Sequence, residues 1–180
     1  QMTPQTVLDF WFKELSPEDH FKKNEALDKE IATRFKEVHQ QIALGETFTW
    51  RSTIHGRLAE IIVLDQFSRN MFRETKESFA YDSLALILAQ EALRQDDFNE
   101  LSIEEKAFVY MPFMHSESVI IHEKAVELFS EPGLENNLDF EHRHFDIIKQ
   151  FGRYPHRNEI LGRESTPEEI AFLKKPGSSF

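Results

Sequence analysis

The chain has 180 residues, 40% of them hydrophobic and 29% charged, the composition of a globular domain and not of a disordered chain, and at this length it can bury roughly 70% of its unfolded surface. Its 21 Lys and Arg face 32 Asp and Glu, a net charge of −11 that argues against nucleic acid and anionic membranes, which select basic faces. The absence of cysteine excludes disulfides, thiolate metal sites and cysteine nucleophiles.

The punctuation is helical throughout. Thr3-Pro4 reads as an N-cap followed by a proline in the first turn, and the apolar run Val7 to Phe12 extends that helix to about Glu14. Ser16-Pro17 marks a second start or a turn. Leu27, Ile31, Phe35, Val38 and Ile42 recur at three or four residues between Asn24 and Leu44, with Gly45 as the stop. A third helix is expected from Ser52 to about Asn70, and a fourth over residues 78–94. Ser102 with Glu105 is a capping box for a helix to Tyr110, and Ser116 is the expected cap of the next, to Phe129. Glu131-Pro132-Gly133 breaks the chain before a helix over 137–151 that Gly152 ends. Thr166-Pro167 with Glu169 opens the last, to Leu173. The expectation is an all-α protein of seven or eight helices with short connections, one domain over residues 3–180. Gln1 ahead of Met2 reads as an added residue. No basic and apolar leader precedes the first helix and no apolar run reaches the length of a membrane span; with no cysteine either, the cytoplasm is the expected location.

Charge is unevenly spread. Residues 51–73 hold Arg51, Arg57, Arg69 and Arg73 against Glu60 and Asp65, and residues 149–163 hold Lys149, Arg153, Arg157 and Arg163 against Glu159. The two segments carry +2 and +3 in a remainder of −16. Arginine is the planar, bidentate donor suited to fixed contacts with carboxylate or phosphate. Residues 58–67 are apolar around nearly the whole helical circumference, as in a central, buried helix. Asp65, at its end, must therefore be paired. Asp65 and Arg69 share a face, as do Arg69 and Arg73. Arginines then outnumber local carboxylates, and the surplus must meet water, a distant acid or an anionic ligand.

Leu58-Ala59-Glu60-Ile61-Ile62-Val63-Leu64-Asp65-Gln66-Phe67-Ser68-Arg69-Asn70 with Arg73 resembles the most recognisable segment of a bacterial family known as domain of unknown function 924. Pro112-Phe113-Met114-His115-Ser116-Glu117 resembles its second motif. Phe151-Gly152-Arg153-Tyr154-Pro155-His156-Arg157-Asn158, continuing through Leu161-Gly162-Arg163 to Glu169 and Phe172-Leu173, resembles its third. Val7-Leu8-Asp9-Phe10-Trp11-Phe12 fits as well. The resemblance implies a tetratricopeptide-like α-α superhelix and no established activity. His122 departs from the pattern, which has Gln near there.

Read as chemistry, the motifs leave three functions open. The first is a binding module whose groove, lined by Arg57, Asp65, Arg69, Asn70, Arg73, His115, Arg153, His156, Arg157 and Asn158, takes a small anionic molecule or a carboxylate-ended peptide. The second is a hydrolase or lyase without a cofactor, with His115 and His156 as acid/base candidates and Glu117 and Asp65 as their orienters. Here Glu117 is expected in the first turn after Ser116, stabilised by the helix dipole. The third is architectural: motif three wraps back to pair with Asp65 and Glu117. No glycine-rich phosphate loop, nucleophile elbow or metal-ligand spacing is present, and no cofactor or metal is expected.

Overall fold

The computed structural model describes residues 2–180; Gln1, read above as an added residue, lies outside them. Among the described residues every regular element is helical. The chain forms two compact units, one of the described residues up to Arg73 with Glu77–Pro112, the other of Glu74–Lys76 with Phe113–Phe180.

In the first unit Thr3 caps α1 (Pro4–Asp9) through the Thr6 amide, and the helix continues as a wide π turn over Phe10–Glu14. A short 3₁₀ turn, Pro17–His20, is closed by reciprocal bonds between Ser16 and Asp19. Asn24 caps α2 (Glu25–Ala43), which buries Leu27, Ile31, Phe35, Val38 and Ile42, the periodic set of the sequence. Gly45 ends it at φ +78°.

The central helix begins one residue later than its sequence signal. Ser52 lies in a 3₁₀ turn (Phe48–Ser52), and the cap is Thr53, whose hydroxyl accepts from the Gly56 amide. From there α3 (Ile54–Ile62), a π turn over Val63–Phe67 and α4 (Ser68–Met71) run on. Residues 58–68 are all buried, as an all-round apolar surface requires. The Phe10, Phe35 and Phe67 rings meet beside it at 4.8–5.9 Å between centroids. The expected fourth helix is interrupted at Tyr81, giving α5 (Glu77–Ala80) and α6 (Asp82–Ala92), of which α6 packs on α3. The Ser102–Glu105 capping box forms as expected. Its helix, α7 (Ile103–Met114), continues past Tyr110 through Pro112.

In the second unit α8 (Val119–Phe129) packs on α9 (Glu135–Phe151), which ends at left-handed Gly152. Pro155–Arg157 forms a 3₁₀ turn leading to α10 (Asn158–Leu161), a single turn the sequence pattern did not signal. Thr166 and Glu169 cap each other at the start of α11 (Pro167–Leu173). Tyr154, fully buried, anchors the core of this unit with Ile147 and Ile148.

Candidate functional site

Motif one lies wholly in the first unit. The π turn carries Asp65 and Gln66, both buried, and π turns often mark functional or specially constrained positions. Gln66 Nε2 donates to Asp65 Oδ2 at 2.8 Å, and Arg69 donates to the Asp65 carbonyl at 2.8 Å with Oδ1 at 3.6 Å. Arg69 also forms a two-pronged pair with Asp82, at 2.8 and 3.0 Å. Arg73 does the same with Asp28, at 2.7 and 3.1 Å, and Asn70 donates to the same carboxylate at 3.0 Å. The local surplus of arginine is thus met by distant acids, on α6 and α2. Arg57 stands apart and donates to the Arg51 carbonyl.

Two buried polar contacts in this unit carry no sequence signature. Glu60 is fully buried within the apolar stretch. Burial raises its carboxyl pKa, while Thr47 at 2.7 Å and Arg51 at 3.3 Å pull it back. His39 Nε2 lies 2.7 Å from Ser68 Oγ. Burial lowers this imidazole to about 4, so it stays neutral at physiological pH, and the full burial of Ser68 closes the hydroxyl to substrate.

Motifs two and three meet in the second unit. Here one expectation is corrected. The cap of α8 is Ser118, whose hydroxyl accepts from the Ile121 amide, while Ser116 Oγ accepts from the Ser118 amide. Glu117 therefore precedes the helix and owes nothing to its first turn. Partial burial raises the pKa of Glu117, but Arg163 and the Tyr154 amide outweigh it and hold the carboxyl below its usual value. Both amino groups of Arg163 reach Glu117, at 2.9 and 3.0 Å, and Tyr154 N–H donates to it at 2.7 Å. Both oxygens are thus engaged by motif three, and Glu117 is not the orienter of His115 that the acid/base reading requires. Arg153 pairs two-pronged with Glu169, at 2.7 and 2.9 Å, which brings that carboxyl down to about 2. Asn158 accepts from Arg163 Nε and donates to Ser165. A groove of about 540 Å³ lies beside Arg153, Phe151 and Thr166.

Around Tyr154 the unit gathers imidazoles. His122, His144 and His156 lie 6.1, 5.7 and 5.9 Å from its ring, and the Arg157 guanidinium rests over its face at 4.7 Å. Arg157 also donates to the His115 carbonyl at 3.0 Å. Tyr154 Oη donates to the Met114 carbonyl at 2.6 Å, and His122 Nε2 donates to the Ser116 carbonyl at 2.7 Å. His122 Nδ1 then faces Glu141 Oε2 at 2.7 Å, with both side chains fully buried. Burial raises the Glu141 carboxyl, and its Oε1 has no hydrogen-bond partner. An imidazole–carboxylate pair does exist, but at the centre of a packed core, between His122, noted in the sequence only as a departure from the resemblance, and Glu141, which no motif includes. His144 donates from Nδ1 to the Phe140 carbonyl. Burial above all lowers it to about 3; the Phe140 hydrogen bond opposes this, and the like charges of His115, His122 and His156 add to it. His115 and His156 keep part of their surface in solvent. Among the described residues no three histidines or carboxylates converge to hold a metal ion.

The sequence profile described as "Bacterial protein of unknown function (DUF924)" matches residues 7–177. The chain belongs to that family. Among solved structures, a protein of unknown function from Agrobacterium tumefaciens, ATU0120, is 37% identical with a TM-score of 0.90, over 95% of this chain and 96% of that one. No curated protein sequence matches the chain. This DUF924 member shares the all-helical fold of its Agrobacterium relative, and among its described residues no helix is long and apolar enough to cross a membrane.

Proposed function

We propose that this DUF924 protein is a cytoplasmic binding module for a small anionic molecule or a carboxylate-ended peptide, received at the imidazole cluster of the second unit. The supporting observation is the assembly of His122, His144 and His156 with the Arg157 guanidinium around one buried tyrosine, with His115 near enough to act on His144 electrostatically. Groups that are cationic or become so repel one another at this spacing, and an anion beside them relieves the repulsion. The arginines of motif one serve architecture instead, since Arg69 and Arg73 are each seated two-pronged on a carboxylate. Motif three divides its work: Arg153 and Arg163 clamp Glu169 and Glu117, while His156 and Arg157 face the site. The net charge of −11 repels polyanions at long range, which selects a small ligand.

Inorganic phosphate is the first probe. Its addition should raise the titration midpoint of His115 or His156, followed through imidazole nitrogen shifts. His156→Asn should weaken phosphate binding about tenfold, the loss of one charge-assisted hydrogen bond. Midpoints indifferent to phosphate would remove this reading.

A further inference from the structure

One exposed aromatic residue is placed where an exposed aromatic has no packing reason to be. The Phe180 ring lies 4.0 Å from the His144 ring, 4.4 Å from His156 and 5.3 Å from Tyr154, the last nearly edge-on at 86°. Favourable aromatic pairs fall in this range and geometry. Yet Phe180 is 55% exposed, whereas Tyr154 beneath it is fully buried and His144 is 7% exposed. The segment that delivers the ring is thinly tethered. Residues 174–177 are exposed, Gly177 turns at φ +77°, and Ser178 Oγ donates to the Leu173 carbonyl at 3.1 Å. The Phe180 ring is thus the outermost layer over His144, Tyr154 and His156.

We infer that His144, Tyr154 and His156 form a receptor surface for an aromatic ring carrying a carboxylate, and that Phe180 occupies it as a tethered stand-in. The carboxylate half rests on the anion-binding reading above, while the ring half stands on the three ring contacts. Imidazole rings offer flat faces to a ring, and the Arg157 guanidinium over Tyr154 places a cation close by. A free ligand must displace a competitor held at high effective concentration by its own chain. Its apparent affinity is lowered by the fraction of molecules in which Phe180 is seated.

The test uses the full chain and its F180A variant, a change at an exposed side chain. Removing the ring should shift the His144 and His156 ring-proton resonances through loss of its ring current. It should also strengthen binding of phenylacetate or of the peptide Gly-Ser-Ser-Phe by about tenfold or more over the parent chain. Preference between these two probes tells a free small molecule from a peptide end. Unmoved histidine resonances, equal affinity in both proteins, or no binding of either probe to F180A would overturn the inference. Phosphate binding without aromatic binding overturns the ring site and leaves the anion reading standing. Benzyl alcohol binding as well as phenylacetate would instead overturn the carboxylate half and the reading beneath it.

Discussion

Glu117 accepts from both amino groups of Arg163 and from the Tyr154 amide, so one carboxylate fixes the path of motif three. Glu117→Gln removes the charge and leaves a half-buried guanidinium facing an amide. It should lower the unfolding free energy by about 2–4 kcal/mol, read from the urea midpoint. An unchanged midpoint would show that the clamp carries no stability. His122 makes a second test at this scale. His122→Ala strands Glu141 in the core with neither oxygen bonded and should cost about 3–5 kcal/mol in the same measurement. His122→Gln should cost distinctly less, because an amide can both donate and accept in the same place. Motif reasoning picked out Glu117 because carboxylates beside histidines attract attention. It passed over Glu141, whose importance comes only from what packs around it.

Among the elements, the helix starts and stops were largely legible, because caps are local chemistry. Thr3, Asn24, the Ser102–Glu105 box and the Thr166–Glu169 box each bond within three residues. The misreadings came where two local signals compete. At 116–118 either serine suits a cap by type, and the structure uses Ser118. Ser118→Ala should therefore destabilise by about 1 kcal/mol in urea unfolding, and Ser116→Ala by less. The reverse order would return the cap to Ser116. Gly56 is a tighter constraint: a Cβ there would lie 1.8 Å from the Trp50 carbonyl oxygen. Because backbone must move, Gly56→Ala should cost about 3 kcal/mol or more, detected as a lowered melting temperature. The π turn at Val63–Phe67 was invisible to periodicity, since one extra residue in a turn changes no pattern where apolar side chains already cover nearly the whole circumference.

Across the whole molecule, acid should unfold the protein through its buried histidines. His39 and His144 are lowered by burial to about 4 and about 3, against about 6.5 in an unfolded chain. The unfolded state then binds more protons than the folded state between those limits, so stability rises with pH through that window and is lost as pH falls below about 6.5. Two such groups give a slope of at most about 2.7 kcal/mol per pH unit. Glu141 and Glu60, raised by burial, act in the opposite sense above pH 4.5, because their folded forms hold protons longer. Glu117 and Glu169, held low, add their loss only at more acid pH. Urea midpoints from pH 7 to 4 should fall steadily, and His144→Asn should flatten the fall. A pH-independent midpoint in the parent chain would contradict neutral burial.

By itself, the sequence determined the helical class, most helix boundaries, the buried central helix and the two arginine-bearing segments. Each of these follows from residues within a few positions of one another. Only the tertiary structure decided what the arginines meet. Arg69 finds Asp82 13 residues on, Arg73 finds Asp28 45 residues back, and Arg163 finds Glu117 46 residues back. Tertiary packing likewise brought three imidazoles and the Phe180 ring around Tyr154. Charge balance in a sequence counts partners but cannot assign them, because pairing across such separations depends on which helix faces are buried together, and that is settled only when the chain packs.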